Sequence, residues 1–265
     1  MILEIKRKRR ADRLTVFYFP DIHHPNEDKK SLASAMNLCE DLSPDIIINL
    51  GDVLDCYSIS RFDKDPTRVA SLQEEFDAGR AHFEELRRRN PEARIIVKEG
   101  NHEERLQRYL WSQAPSLSSL RCLTVPEQLG LQNLGIEWVP AKQSFRLGSL
   151  IVTHGTTVRS KSGYTAHGEM MARQMSGISG HTHRLSSVWK TTCSGTLRWV
   201  EAGCLCDLNP EYGGDRALDW QQGVVVGHWL KSHDQDRLDL TIIPIRDHIA
   251  HYQGRLYTPD GVLTA

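Results

Sequence analysis

Three short apolar segments in the first half of the chain each end directly in side chains that bind metal ions. The segments cover residues 14–19, 45–50 and 94–99, and their β-branched and aromatic residues predict buried strands. The side chains at their ends are Asp21 and His23, then Asp52, and finally Asn101 and His102. Helical patterns separate the segments, so we expect parallel strands whose ends meet at one edge of a sheet. Ligands bind at that edge in α/β proteins, and the pattern therefore predicts an α/β fold with a functional site there.

Two further motifs add imidazoles downstream. His154 follows one predicted strand, and the sequence Gly180-His181-x-His183 follows another. A tight turn at Gly180 would let both rings of the second motif point into one small volume. Imidazole is the commonest metal-binding side chain, and its neutral form suits divalent transition metals. A single His-x-His sequence often occurs on a protein surface without binding a metal. The upstream motifs therefore strengthen the hypothesis that this pair binds one.

The rest of the chain indicates a single domain spanning residues 1–265. Helices are predicted at 28–42, 71–89, 104–111 and 165–175, with an irregular loop at 53–70. Further strands are predicted at 136–139, 144–147, 150–153, 178–179, 187–192, 196–201, 223–230 and 238–245. Proline and glycine interrupt residues 112–134, which we interpret as short helices within a cap-like helical insertion at about 104–140.

Composition limits the classes of function. The chain has 265 residues and a formal net charge of -1, so its overall charge does not require a nucleic-acid partner. The basic run at 6–10 can contact the phosphates of a polymer, although we favour a solvated terminal segment. No apolar run approaches the ~20 residues of a membrane span, and no signal peptide is recognisable. We therefore expect a cytoplasmic protein with no membrane partner.

The six cysteines do not form a recognisable metal-binding pattern. None belongs to a Cys-x-x-Cys pair, and reduced thiols are expected in a cytoplasmic protein. Cys204 and Cys206 would present both sulfur atoms on one face of a strand. Because the sequence offers no third ligand beside them, we do not expect a metal there.

In this order and at these spacings, the five motifs resemble the signature blocks of calcineurin-like metallophosphoesterases of phage or bacterial type. The match runs from residue 21 to residue 183, about three fifths of the chain, and we assign no motif after residue 184. The resemblance implies an α/β fold with two mixed β-sheets packed as a sandwich flanked by helices. It also implies two divalent metal ions. The first would bind Asp21, His23, Asp52 and His183, and the second would bind Asp52, Asn101, His154 and His181.

The chemistry of the family agrees with this ligand set. Two ions about 3.5–4 Å apart can hold a bridging hydroxide for an in-line displacement at phosphorus, with Asp52 as the bridging carboxylate. Mixed oxygen and nitrogen ligands suit Mn²⁺, our first choice, or Fe, Zn²⁺, Ni²⁺ or Co²⁺, rather than Mg²⁺ or Ca²⁺. In the family, the histidine that matches His102 protonates the leaving group or stabilises the transition state. General acid catalysis is typically worth ~10²–10⁴ in rate.

Charged residues near the motifs have less defined roles. Three basic residues are candidates for binding the substrate phosphate, although exposed loop charges are common. They are Arg159, Lys161 and Arg184. Glu103 and Asp55 either contact a histidine ligand from behind or serve as a helix cap or a surface charge. His24 and His167 are extra histidines that we do not expect to bind metal.

The first motifs depart from those of the Ser/Thr protein phosphatases, which continue as Asp-x-His-Gly and Gly-Asp-x-x-Asp-Arg-Gly. Here His24 replaces the glycine of the first motif, and Cys56-Tyr57 replaces the Arg-Gly of the second. The Gly-His-Thr-His ending is more similar to phosphodiesterases and nucleases. We therefore expect hydrolysis of phosphodiesters of the DNA or nucleotide type. The alternatives are a phosphomonoesterase or nucleotidase, and a non-catalytic binding scaffold of the same fold.

Overall fold

The computed structural model describes residues 2–5, 13–64, 70–210, 217–231 and 236–264. Over these residues the chain forms five α-helices and fifteen β-strands, and the strands make two sheets. The basic run at 6–10 lies outside the described residues. No helix in the described part combines the length and the apolar character that a membrane crossing requires.

The helices form where apolar residues recur at helical spacing. They are α1 (Lys29–Leu42), α2 (Leu72–Arg89), α3 (Glu104–Gln113), α4 (Val125–Gln128) and α5 (Tyr164–Arg173). Asp28 begins α1 by accepting hydrogen bonds from two backbone N–H groups of the first turn. Ser71 and Glu74 form a reciprocal capping box at the start of α2. Three 3-10 turns cover Tyr57–Ile59, Pro115–Leu117 and Arg121–Leu123.

The strands divide into a sheet of nine and a sheet of six. In chain order they are β1 (Ile2–Ile5), β2 (Arg13–Phe19), β3 (Ile46–Asn49), β4 (Arg94–Lys98), β5 (Glu137–Val139), β6 (Ser144–Leu147), β7 (Leu150–Val152), β8 (Ser176–Ser179), β9 (Leu185–Thr192), β10 (Gly195–Ala202), β11 (Gly223–Lys231), β12 (Asp236–Arg246), β13 (Ile249–Tyr252), β14 (Arg255–Thr258) and β15 (Gly261–Thr264). The larger sheet has the order β15-β14-β13-β12-β11-β2-β3-β4-β5, and the smaller has β1-β6-β7-β8-β10-β9.

Both sheets are mixed, and parallel pairing is concentrated near the site. Strands β2 to β5 are parallel neighbours, with Val16 opposite Ile46 and Ile46 opposite Arg94. Strand β11 joins β2 in the antiparallel sense. In the smaller sheet β8 is parallel to both β7 and β10. The parallel arrangement places the carboxyl ends of β2, β3 and β4 at one edge, as the three apolar segments predict.

The alternation of side chains along the strands separates the core into layers. Phe17 and Phe19 of β2 face α1 and α2, where they pack in a cluster that includes Leu38 and Phe83. The alternate residues of β2 face the smaller sheet, where Tyr18 packs in a cluster with Phe145 and Val200. On the outer side of the smaller sheet, Trp199 packs with Ala166 and Met170 of α5. The predicted sandwich of two mixed sheets flanked by helices is therefore confirmed.

The sequence analysis did not predict strand β1 or the last three strands of the fold. Strands β13 to β15 form a short antiparallel meander that extends the larger sheet past β12. The meander packs against α1, where Arg255 and Tyr257 both contact the carboxylate of Asp41. These strands have four residues each and depend on contacts with a helix more than 200 residues earlier, so their own pattern is weak.

Candidate metal centre

The predicted metal ligands converge where the two sheets meet at one edge. Asp21, Asp52 and Asn101 follow β2, β3 and β4 of the larger sheet. His154 follows β7 of the smaller sheet, and the remaining imidazoles, His181 and His183, follow β8. Each sheet therefore supplies part of the ligand set.

The backbone at these positions is unusual. His23, Asp52, His181 and His183 have φ angles of 57°, 52°, 70° and 59°, in the left-handed region that non-glycine residues rarely adopt. Such a conformation costs of order 1–3 kcal/mol per residue and persists only where the surrounding structure enforces it. Four of the ten non-glycine residues with positive φ angles in the described part of the chain are thus predicted ligands, and these four lie in the turns that aim the ligands inward.

Two glycines allow the strand ends to approach one another closely. A Cβ atom on Gly100 would overlap the carboxylate of Asp52, and one on Gly180 would overlap the carboxylate of Asp21. Both glycines directly precede predicted ligands, namely Asn101 and His181. A side chain at either position would therefore push a carboxylate out of the centre.

The first cluster of ligand atoms comes from Asp21, His23 and His183, whose atoms lie within 4.8 Å of one another. The Nε2 atoms of His23 and His183 are 3.0 Å apart, and His183 Nε2 lies 3.5 Å from Asp21 Oδ1. All three residues are buried. Carboxylate and imidazole atoms at these separations can hold a divalent ion.

The second cluster comes from Asp52, His154 and His181, again within 4.8 Å. His154 Nε2 lies 3.2 Å from Asp52 Oδ2 and 3.0 Å from Asn101 Oδ1. The rings of His154 and His181 have centroids 5.0 Å apart. The amide oxygen of Asn101 therefore lies beside this cluster, and its role as a ligand, which the family resemblance implies, stays a prediction.

Asp52 lies between the two clusters. Its Oδ2 atom is 3.2 Å from Nε2 of His154 and 3.8 Å from Nε2 of both His23 and His102. Burial opposes ionisation of this carboxyl, but the charges of His154 and His102 hold its pKa well below the usual value. An ionised carboxylate in this position can bind one ion on each side.

The imidazoles have opposite pKa shifts within each cluster. Burial opposes protonation of His154, yet Asp52 raises its pKa to about 9, whereas burial and the charge of His154 lower the pKa of His181 to about 4. Burial also opposes protonation of His183, but Cys206 and Asp21 raise its pKa to about 10. Protonated His154 and His183 thus balance the charges of the buried carboxylates near pH 7, and metal binding would release these protons.

Contacts behind two histidines orient their rings. His154 Nδ1 lies 2.9 Å from the carbonyl oxygen of Leu50, which leaves Nε2 directed at the cluster. His183 Nδ1 lies 3.8 Å from the sulfur of Cys206. His183, Cys204 and Cys206 form a further buried group within 4.8 Å. The expectation that the cysteine pair has no third ligand nearby is wrong, because the fold brings β10 and its following residues against the turn after β8.

Glu103 has a role that the sequence left open. Its carboxylate accepts hydrogen bonds from the backbone nitrogens of Asp52, Gly100 and Leu54, at 2.9–3.0 Å. Burial and the neighbouring Asp52 raise its pKa to about 7. The Glu103 carboxylate therefore connects the turn after β3 to the turn after β4 through hydrogen bonds. The only signal in the sequence was its position directly after His102.

His102 faces the centre, and Asp55 orients it. His102 Nδ1 lies 2.8 Å from the carbonyl oxygen of Asp55 and 3.0 Å from its Oδ1. Its Nε2 lies on the side of Asp52. Burial opposes protonation, but Asp52 and Asp55 raise the pKa of His102 above the usual value. Burial opposes ionisation of Asp55, and its hydrogen bonds with His102 and His23 lower its pKa.

The predicted phosphate-binding residues lie in different environments. Arg159 and Lys161 are exposed in the loop after His154, and Arg159 borders a cavity of about 500 Å³ together with Tyr164 and His167. Arg184 is 11% exposed, and its Nε lies 3.1 Å from Asp219 Oδ2. Its Nη1 donates to the carbonyl of Arg159, so Arg184 supports the loop that presents the other two. Their role in substrate binding stays a prediction.

The extra histidines lie outside the two ligand clusters. His24 is buried with Nδ1 3.0 Å from Glu27 Oε2, and its ring packs against His82. His167 is exposed on α5. Residues 104–140 contain α3, α4, two 3-10 turns and β5, which belongs to the larger sheet, and they border a cavity of about 430 Å³ with Trp111 and Trp138 in its wall. The cap-like role of this segment stays a prediction.

Comparison with known proteins gives the following similarities. No family model matches the chain. The Gene 54 protein of Mycobacterium phage L5 is 27% identical over 249 residues, covering 89% of this chain and 96% of that protein. Vacuolar Protein Sorting 29 from Cryptosporidium parvum aligns over 96% of this chain and 100% of that chain, with 13% identity and a TM-score of 0.46. YfcE, a phosphoesterase from E. coli, aligns over 86% and 98%, with 15% identity and a TM-score of 0.40.

Proposed function

We propose that this protein is a metal-dependent phosphoesterase that hydrolyses phosphodiesters. The observation that supports the proposal most is the position of Asp52 between two clusters of ligand atoms, whose residues are buried except for the half-buried His181, with His102 beside it. Two adjacent ions that share a carboxylate are the arrangement used for in-line displacement at phosphorus. The five sequence motifs and the geometry of the side chains thus support the same chemistry.

The donor atoms suit divalent ions. Both clusters combine carboxylate or amide oxygens with imidazole nitrogens, and they lie at the junction of two sheets, where only Asn101 and His181 among these described residues are half-buried rather than buried. One ion would be held by Asp21, His23, Asp52 and His183, and the other by Asp52, Asn101, His154 and His181. When bound, the ions would supply a hydroxide nucleophile at neutral pH and neutralise charge on the phosphate. This mixed donor set favours Mn²⁺ or a related transition metal over Ca²⁺.

His102 is the residue we assign as proton donor to the leaving oxygen. Asp55 fixes its ring through Nδ1, so Nε2 is presented toward the side of the centre where Asp52 lies. A histidine held in this way needs no reorientation at the moment of proton transfer, which favours general acid catalysis. The charge of Asp52 favours the protonated form, whereas the Arg105 guanidinium beside Nε2 opposes it.

An aromatic side chain at the centre supports a nucleotide-type diester over a simple monoester. The ring of Trp220 packs edge-on against His183, with 4.3 Å between centroids, and is partly exposed. Base stacking on an exposed aromatic ring is worth about 1–3 kcal/mol per base. A base next to the scissile phosphate would lie within reach of this ring.

The test compares hydrolysis of bis-p-nitrophenyl phosphate and p-nitrophenyl phosphate, with Mn²⁺ and with a chelator. We expect chelator-sensitive turnover that is faster on the diester. Asp52→Ala and His181→Ala should abolish activity with an unchanged circular dichroism spectrum, whereas His167→Ala, on the exposed face of α5, should not. Preference for the monoester would indicate a phosphomonoesterase or nucleotidase instead. No turnover with any of Mn²⁺, Zn²⁺, Ni²⁺ or Co²⁺ would favour the binding scaffold.

A further inference from the structure

Arg105 contacts the histidine that we assign as proton donor. Its Nη2 lies 2.9 Å from His102 Nε2, and its Nη1 donates to the carbonyl oxygen of Asp55 at 2.6 Å. The Arg105 side chain is 16% exposed and lies 3.8 Å from the Asp55 carboxylate. The guanidinium therefore stands at the rim of the buried centre and covers the reactive nitrogen of His102.

The position of this guanidinium conflicts with that of a bound substrate. Asp55 holds His102 through Nδ1, so Nε2 is the nitrogen available to a leaving group. A leaving oxygen that receives a proton from Nε2 must lie within about 3 Å of it, on the side that Arg105 Nη2 now occupies. Entry of the substrate therefore displaces the guanidinium from His102.

A displaced guanidinium would find an acceptor nearby. The planar fork of arginine matches phosphate oxygens and donates two parallel hydrogen bonds to them. Arg105 lies in the first turn of α3, and its backbone nitrogen donates to the carbonyl of His102 at 3.1 Å. This hydrogen bond holds the backbone of Arg105 beside His102, so its side chain stays near the mouth of the centre. One turn later Arg108 is 66% exposed and pairs with Glu104 at 2.6 Å, away from His102.

We propose that Arg105 is a substrate-binding residue that leaves His102 Nε2 and donates to a non-bridging oxygen of the scissile phosphate. The inference rests on the proposed function, because it requires a phosphate ester in the centre. It adds a positive charge that the five sequence motifs do not contain. The contact between Arg105 and His102 would then have a function of its own, because the guanidinium covers His102 Nε2 while no phosphate is bound.

The first experiment measures binding of inorganic phosphate to the Mn²⁺-loaded protein by calorimetry, which needs no turnover. Arg105→Gln should weaken phosphate binding about 10- to 100-fold and raise the KM for bis-p-nitrophenyl phosphate similarly, because a charge-assisted hydrogen bond is lost. Arg108→Gln is the matched control on the same helix and should change neither value. Metal content should stay equal in all three proteins. Wild-type phosphate affinity in a metal-loaded Arg105→Gln variant would overturn the inference.

A second experiment needs no variant. Phenylglyoxal modifies arginine, and mass spectrometry reports the labelling rate at each site of the wild-type protein. Inorganic phosphate should slow labelling of Arg105 severalfold and leave Arg108 unaffected. Equal labelling of Arg105 with and without phosphate would overturn the inference, as would failure of the metal-loaded wild type to bind phosphate. Turnover without protection of Arg105 would reject its role but keep the proposed function. Protection without turnover would support phosphate binding by Arg105 but reject the proposed hydrolysis.

Discussion

Glu103 accepts a hydrogen bond from the backbone nitrogen of Asp52, at 3.0 Å between Oε2 and N. The position of Asp52 between the two clusters is therefore fixed through its backbone by a buried carboxylate that is not itself among the ligand atoms. Asp52 Oδ1 in turn accepts a hydrogen bond from the backbone nitrogen of His102, at 2.9 Å. The turns after β3 and β4 thus hold each other through reciprocal contacts.

Replacing Glu103 should destabilise the fold. Glu103→Ala removes the acceptor for three buried backbone N–H groups, and each unsatisfied group costs roughly 1–3 kcal/mol. We expect the free energy of unfolding to fall by about 3 kcal/mol or more, measured by urea denaturation. Glu103→Gln should cost less because its amide oxygen still accepts. Glu104→Ala, which breaks only a pair with Arg108, is the control, and equal losses in both alanine variants would contradict this role.

The leaving group should determine how much activity His102→Ala loses. A poor leaving group needs a proton in the transition state, whereas p-nitrophenolate leaves unaided. We expect a loss of about 10²–10⁴ in kcat for a dinucleotide or alkyl ester and a much smaller loss for bis-p-nitrophenyl phosphate. The measurement is kcat for both classes with matched Mn²⁺ loading. Equal losses on both would mean that His102 does not act as a general acid.

Cys206 should tune the affinity of the centre for metal. Its sulfur lies 3.8 Å from Nδ1 of His183, and partners of this kind typically change metal affinity 10- to 100-fold. We expect weaker Mn²⁺ binding by calorimetry in Cys206→Ala and a partial recovery in Cys206→Ser. Cys122→Ser, at an exposed position, is the control. An intense sulfur-to-metal charge-transfer band in the Co²⁺-loaded protein would instead identify a cysteine as a direct ligand.

Acid should destabilise the protein through His82. Burial and the charge of His24 lower its pKa to about 3, and its Nε2 is buried with no hydrogen-bond partner among the described residues. Between pH 6.5 and 3 the unfolded chain binds a proton at this position that the folded chain does not. The free energy of unfolding therefore falls as pH is lowered through this window, by up to about 1.4 kcal/mol per pH unit from this group.

His82→Leu isolates that contribution. We expect the difference in unfolding free energy between the variant and the wild type to shift in favour of the variant as pH falls from 6.5 to 4.5. The measurement is urea denaturation at several pH values. A difference that stays constant with pH would show that His82 titrates normally in the folded protein.

The sequence predicts the centre better than it predicts the contacts that support it. Asp21, Asp52 and Asn101 could be placed together because local periodicity predicts the strands that they follow and the helical connections predict that these strands are parallel. The roles of Glu103 and Cys206 depend on residues 51 and 23 positions away, respectively, in other elements. Hydrophobic patterns carry no information about such contacts, so only the folded arrangement reveals them.

The division of the ligands between two sheets has a consequence for assembly of the molecule. With the sheets apart, the larger sheet would retain only Asp21, His23, Asp52 and Asn101, and the smaller sheet would retain only His154, His181 and His183. Neither set is sufficient to hold two ions. Binding of both ions would therefore indicate that the two sheets have packed together. Bound ions would in turn act as cross-links between the sheets, and the resistance of the fold to unfolding would grow with the logarithm of the free metal concentration.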